Sequence, residues 1–131
     1  MIGVDTNLVV RVLTNDDPEQ ARRAAALLSR EQILVPTTVV LETAWVLRHA
    51  YGLDRDAIAG ALRKLLGLPQ VAAEAPDTLA RALVWYEQGV DFADALHLSV
   101  TQSKGADGFA SFDQGFLRRA APLAAIDLIE P

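Results

Sequence analysis

The chain has 131 residues, of which 51% are hydrophobic and 22% are charged. This length fits a single domain, residues 1–131, with a hydrophobic core of its own, and the composition excludes an intrinsically disordered chain. There is no cysteine, which excludes disulfides, zinc–thiolate sites, iron–sulfur clusters and cysteine nucleophiles. The lack of cysteine also fits a reducing compartment, and we expect a cytoplasmic location.

Charge and hydropathy restrict the partners further. The formal net charge is −5, which argues against binding nucleic acid through bulk charge. A local basic patch, or a metal ion that makes an acidic pocket cationic, is compatible with that charge. No apolar run approaches the roughly 18 residues of a membrane span, so we expect no membrane partner.

Strands and helices alternate along the predicted chain. Short apolar runs predict strands at residues 2–4, 33–36, 70–73, 108–112 and 124–129. Helical spacing and capping residues predict helices at residues 8–13, 37–50 and 76–88, others that begin after Asp17, Asp54 and Asp91, and a short one through Arg119. This alternation predicts an α/β fold with a central, mostly parallel sheet of four or five strands and helices on both faces. Ligands of such folds bind beyond the carboxyl ends of the strands.

Four acidic residues stand at or near such positions, or within an apolar helix: Asp5, Glu42, Asp94 and Asp113. Taken alone, each has a plain structural explanation. An Asp after a strand is usually a turn or cap residue, an Asp in the first turn of a helix is favoured by the helix dipole, and Glu42 could lie on an exposed edge of its helix. Glu42 is the hardest to explain in this way, because a carboxylate in an apolar stretch is costly unless it is paired or bound to a metal.

If these four carboxylates converge, they cannot all stay ionised without a cation. The sequence offers oxygen ligands only, and such ligands suit Mg²⁺ or Mn²⁺. Ions of this kind activate water and stabilise the charge that develops on a phosphate and its leaving oxygen. The chemistry indicated is hydrolysis of a phosphodiester.

The acids lie in short motifs that occur in a fixed order: Val4-Asp5-Thr6-Asn7, Glu42 in an apolar helix, Asp91-Phe92-Ala93-Asp94-Ala95-Leu96, and Ser111-Phe112-Asp113. No single motif is specific, but the four in this order resemble the PIN domain, and most closely the VapC toxins of VapBC toxin–antitoxin pairs. The resemblance extends over the whole chain. It implies a ribonuclease that depends on Mg²⁺, or on Mn²⁺ in its place, is commonly a homodimer, and is inhibited by a cognate antitoxin protein.

Carried over residue by residue, the resemblance implies roles for individual side chains. Asp5, Glu42, Asp94 and Asp113 become the catalytic, metal-binding acids. An accessory acid corresponds to Asp91, which could instead only cap its helix. The supporting polar residues are Thr6, Asn7 and Ser111.

Substrate contacts are weaker predictions. Arg118 and Arg119 follow Asp113 closely and are candidates to contact phosphate, whereas Arg22 and Arg23 are interpreted as a solvated face. His97 lies one turn after Asp94 and could touch the substrate, although a structural role is the commoner one for such a histidine.

Other functions fit the sequence less well. A catalytically silent PIN scaffold that only binds is an alternative, against which the presence of all four acids argues. A receiver-type signalling domain would need an acidic pair after its first strand and a phosphorylatable Asp after its third, and both are missing. A haloacid-dehalogenase-like phosphatase would need Asp-x-Asp after the first strand, which Asp5-Thr6-Asn7 does not supply.

Overall fold

A computed structural model describes residues 1–131 and contains twelve regular elements. The strands are β1 (Ile2–Gly3), β2 (Ile33–Val35), β3 (Val71–Ala73), β4 (Gly108–Ala110) and β5 (Asp127–Ile129). The helices are α1 (Thr6–Leu13), α2 (Pro18–Arg30), α3 (Thr37–His49), α4 (Arg55–Leu66), α5 (Pro76–Glu87), α6 (Phe92–Ser103) and α7 (Gln114–Ala120). The chain divides into two compact units, an N-terminal unit of residues 1–76 and a C-terminal unit of residues 77–131.

The N-terminal unit is built on a parallel sheet of three strands in the order β1-β2-β3. Ile33 of β2 lies opposite Ile2 on one side and opposite Val71 on the other. Parallel neighbours require crossover connections, and helices supply them here: α1 and α2 lie between β1 and β2, and α3 and α4 lie between β2 and β3. Helix α1 packs on α2 and α3, and α4 packs on α3 and β3.

Aspartates set the start of three helices in this unit. The carboxylates of Asp5, Asp17 and Asp54 each accept a hydrogen bond from the backbone N–H three residues further on, at 2.8–3.1 Å. Such a bond satisfies one of the N–H groups that a helix leaves without a partner, and is worth about 0.5–2 kcal/mol relative to alanine. The predicted caps at Asp17 and Asp54 are therefore confirmed.

Helix α4 covers the core with one face. Ile58, Leu62 and Leu65 are all buried, as their helical spacing predicts, and Leu47 of α3 is buried as well. Each fully buried side chain of this size stabilises the folded state by about 1.5–3 kcal/mol through the hydrophobic effect.

The C-terminal unit pairs β4 with β5 in parallel, with Gly108 opposite Asp127, and α6 packs on β4. Its buried side chains include four aromatic residues, Trp85, Tyr86, Phe92 and Phe116. Tyr86 and Phe92 meet edge to face, with ring centroids 5.4 Å apart, a favoured geometry for aromatic pairs.

Arg81 of α5 ties that helix to α6. Its Nε donates to Ser99 Oγ and its Nη2 donates to the Ser99 carbonyl oxygen, both at 2.9 Å, and Nη2 also donates to Ser103 Oγ. Ser99 Oγ in turn donates to the Thr78 carbonyl oxygen at 2.8 Å. The polar groups between the two helices thus have hydrogen-bond partners, including the fully buried hydroxyl of Ser99 and the guanidinium group of Arg81.

The predicted α/β class is confirmed, and all strand pairs are parallel. The expected single sheet of four or five strands is instead present as one sheet of three and one of two. The strands have only two or three residues each, so every ladder contains few hydrogen bonds. None of the seven helices combines the length and apolar character that a membrane crossing requires.

Candidate active site

The N-terminal unit carries Asp5 just after β1, where the chain turns into α1. Asp5 is exposed, and its Oδ1 accepts a hydrogen bond from the backbone N–H of Leu8 at 3.0 Å. The second oxygen, Oδ2, has no partner within the chain. Asp5 therefore caps a helix with one oxygen and presents the other to solvent, so the structural role does not exclude a ligand role.

Thr6 joins this position to Glu42 of α3. The hydroxyl of Thr6 donates a hydrogen bond to Glu42 Oε1. Thr6 is only 8% exposed, whereas the Glu42 side chain lies on the exposed side of α3. The buried hydroxyl thus fixes one oxygen of a carboxylate from a distant helix and leaves Oε2 unpartnered.

In the C-terminal unit, Asp91 and Asp94 occupy the start of α6. Asp91 is the N-cap residue, through a long contact of 3.4 Å between its Oδ2 and the backbone N–H of Asp94. Burial raises the pKa of Asp94, and the negative charges of Asp91 and then of Asp113 raise it further, while His97 acts in the opposite direction. Asp91 and Asp113 are therefore each close enough to Asp94 to repel its negative charge.

Asp113 follows β4 and begins α7. Its Oδ1 accepts from the backbone N–H of Phe116 at 3.0 Å, and its own backbone N–H donates to Ser111 Oγ, also at 3.0 Å. Ser111 thus positions the backbone at Asp113. As at Asp5, one carboxylate oxygen caps a helix and the other has no partner.

No three His, Asp or Glu side chains are arranged closely enough to hold a metal ion. The chemistry of the candidate donors nevertheless fits a divalent cation. The groups are carboxylates with free oxygens, supported by hydroxyls, and such hard oxygen ligands suit Mg²⁺. In the C-terminal unit the repulsion that raises the pKa of Asp94 is a cost that a bound cation would remove.

The family of the chain follows from its similarity to known proteins. The model of the PIN domain matches residues 2–122, which is most of the chain. The chain belongs to the PIN domain family. A similar solved structure is that of the VapC20 toxin of Mycobacterium tuberculosis, described as cleaving the sarcin–ricin loop; it is 23% identical over 100% of both chains, with a TM-score of 0.45. No curated protein sequence matches the chain.

The remaining predicted residues of this PIN domain lie at the surface. Asn7 and His97 are exposed, as are Arg118 and Arg119 in the last turn of α7. The Nη1 atom of Arg119 and the Oδ1 atom of Asp113 each lie 3.4 Å from the position that a Cβ atom on Gly115 would occupy. Arg119 is therefore next to one of the candidate acids, and no such proximity is found for Arg118.

A basic groove of about 590 Å³ lies between α1 and α2 and has no clear signal in the sequence. Its lining includes Arg11, Arg22, Arg23 and Arg30. Two of these had been interpreted as a solvated face, because the sequence does not reveal that α1 lies against α2. The helical spacing of Arg23 and Arg30, seven residues apart, is the one signal that places both on the same face.

Proposed function

We propose that this PIN domain is a metal-dependent endoribonuclease that hydrolyses RNA phosphodiester bonds, and that it is the toxin of a VapBC-type toxin–antitoxin pair. One observation carries the proposal. Asp94 is held near Asp91 and Asp113 although this proximity, together with burial, raises its pKa. A fold that keeps like charges together, although His97 offsets only part of their effect on Asp94, is suited to a cation that binds from solution.

In the proposed site, Asp5, Glu42, Asp94 and Asp113 would hold Mg²⁺, or Mn²⁺ in its place. A divalent cation there supplies activation of water as the nucleophile and neutralisation of the negative charge that develops on the phosphate. Asp91 adds negative charge beside Asp94.

The supporting residues orient these carboxylates. The Thr6 hydroxyl donates to Glu42 Oε1 and so restrains the Glu42 carboxylate, which leaves Oε2 in a fixed position. Ser111 holds the backbone N–H of Asp113, and the Phe116 N–H holds its Oδ1. The proximity of His97 favours the ionised form of Asp94, the form that binds a cation. We expect Asn7 to support the site beside Asp5, and Arg119 to contact the substrate next to Asp113.

Two protein partners belong to the proposal, a cognate antitoxin and a second copy of the chain. An acidic site attracts the planar, bidentate guanidinium group, so we expect the antitoxin to place an arginine among the carboxylates. Trp45 of α3 is 61% exposed and packs beside His49, with the two rings tilted and their centroids 4.7 Å apart, a surface that suits a homodimer contact.

Nuclease assays with purified protein test the proposal. We expect cleavage of RNA with Mg²⁺ or Mn²⁺, none with EDTA, and recovery when excess metal is restored. An Asp94→Asn preparation purified in parallel controls for contaminating nucleases. Undiminished cleavage in EDTA would contradict metal dependence, and a chain that binds RNA without cleaving it under any metal condition would be a silent scaffold. Co-expression with the short reading frame next to the gene should abolish both cleavage and toxicity if that frame encodes the antitoxin.

A further inference from the structure

The basic groove between α1 and α2 stands out in an acidic chain. The net charge of the protein is −5, yet the groove is lined by four arginines and by no carboxylate. Two of the arginines already have acidic neighbours outside the groove: Arg11 pairs with Asp16 at 3.2 Å, and Arg22 pairs with Glu19 at 2.9 Å. The groove is therefore a local positive patch that the composition of the chain does not explain.

The other two arginines are uncommitted. Arg23 and Arg30 are exposed and form no hydrogen bond or ion pair within the chain. They lie seven residues apart on α2, which places them on the same side of the helix and about 10.5 Å apart along its axis. Two unpaired guanidinium groups at this spacing can each bind a separate anionic group of one extended ligand, with the bidentate geometry that phosphate favours.

The groove also extends close to Asp5 in the chain. Its lining includes Asn7, which lies in the first turn of α1 and two residues after Asp5. Arg30 lines it as well, from the last turn of α2. A strand that follows the groove would thus pass from a series of cationic side chains to an acid that we assign to the reaction.

We infer that this groove binds the phosphate backbone of single-stranded RNA on one side of the scissile bond, with Arg23 and Arg30 as phosphate contacts. The inference rests on the proposed nuclease function and adds to it the path of the substrate. The lining favours nucleic acid over a protein segment, because it contains four cations and only two large apolar side chains, Leu8 and Leu27. Interfaces with nucleic acid are far more positively charged than interfaces between proteins.

The salt dependence of RNA binding tests this assignment separately from catalysis. A short fluorescein-labelled single-stranded RNA is titrated with protein in EDTA, where no cleavage is expected, and the anisotropy is measured over a series of KCl concentrations. Each phosphate contact on a single strand contributes about −0.7 to the slope of log K against log salt. We expect the double variant R23Q/R30Q to lose about 1.4 from that slope and to bind about 25-fold more weakly at 0.1 M salt.

Two further variants serve as controls. K64Q/K104Q removes the same charge from exposed lysines outside the groove, and we expect it to retain the slope and to bind within about threefold of the wild type. R23K/R30K keeps the positive charges and should retain most of the slope. Melting curves check that the variants are folded, which we expect because the replaced side chains are exposed and glutamine is a good helix former.

The outcomes separate this inference from the proposed function. Wild-type cleavage with Mg²⁺, together with an unchanged slope and affinity in R23Q/R30Q, would overturn the groove and leave the nuclease intact. Retained RNA affinity with lost binding of an antitoxin would assign the groove to a protein partner and also overturn the inference. If the wild type fails to cleave RNA with any divalent metal, the proposed function fails first.

Discussion

The two units of the molecule hold their acidic side chains in opposite electrostatic settings. In the N-terminal unit, donors stabilise the charged form: the Tyr51 hydroxyl lowers the pKa of Asp16, and the Thr37 backbone N–H lowers that of Glu74. In the C-terminal unit, burial and two neighbouring carboxylates raise the pKa of Asp94. The carboxylates of Asp16 and Glu74 are thus satisfied by donors of the chain itself, whereas Asp94 lacks a counter-charge of similar strength. A ligand cation therefore has most to gain electrostatically in the C-terminal unit.

The largest expected effect is a loss of RNA cleavage, and we expect it from a substitution in either unit. Asp5→Asn and Asp94→Asn should each reduce RNA cleavage by at least about 1,000-fold, the order of loss seen when a group required for the chemical step is removed. Rates are measured in Mg²⁺ and Mn²⁺ with Asp107→Asn, an exposed aspartate before β4, as the control. A variant that keeps wild-type activity would show that its unit does not contribute to the active site.

A smaller loss of activity should follow when Thr6, which contacts Glu42 in the N-terminal unit, is substituted. Thr6→Val keeps the shape of the side chain but removes the hydroxyl that binds Glu42. We expect cleavage or metal affinity to fall about 10- to 100-fold, as for other groups that orient metal ligands. Thr6→Ser restores the donor and should recover most of the activity; equal losses in both variants would indicate that packing, and not the hydrogen bond, matters at this position.

In the absence of metal, substitutions of Asp5 and of Asp94 should change the free energy of unfolding differently. Asp5→Ala removes a helix cap and should lower the free energy of unfolding by about 0.5–2 kcal/mol, whereas Asp5→Asn retains an acceptor and should cost little. Asp94→Ala removes a repelled charge from inside a helix and should leave stability unchanged or higher. Urea denaturation in EDTA measures both. A destabilised Asp94→Ala would mean that its carboxylate makes a stabilising contact in the folded state.

The pH dependence of stability should show the smallest difference, and it has opposite signs in the two units. The pKa of Asp94 is raised above its ordinary value of 3.8, so the folded state binds more protons and its stability falls as the pH rises through that window. The pKa of Asp16 is lowered, so its contribution is present above 3.8 and is lost as the pH falls through the lower folded value. The free energy of unfolding is measured over a pH series for both variants. Asp94→Asn should remove the fall in stability with rising pH, and Asp16→Asn should remove the loss of stability with falling pH. If both substitutions change the slope in the same direction, the proposed contrast is wrong.

Much of the fold could be predicted because its signals are local. The caps at Asp17 and Asp54 and the buried face of α4 depend on residues within one or two turns of each other. Strand ends were less accurate: the predicted strand 108–112 ends at Ala110. The backbone N–H of Ser111 still donates to the Ile129 carbonyl oxygen, but the Ser111 side chain accepts from the Asp113 backbone N–H, and such local hydrogen bonds compete with continuation of the ladder.

The candidate site was only partly predictable. The acids themselves follow from motif order, but the bond from Thr6 to Glu42 joins residues 36 apart and depends on tertiary packing. Trp45 shows the same limit: it is exposed on α3, and helical spacing alone does not reveal which face of the helix packs inward. Convergence of the acids of both units remains a prediction.

The contact between α5 and α6 has a consequence for behaviour in acid. Arg81 is bound by two serine hydroxyls and a backbone carbonyl, and none of these groups gains or loses a proton on acidification. Ion pairs with carboxylates fail at low pH because the carboxylate becomes neutral, but this contact has no such group. The helix that carries Asp94 therefore keeps its attachment to α5 while this acid is protonated, and the change in its protonation alters the charge at the start of α6 without releasing the helix.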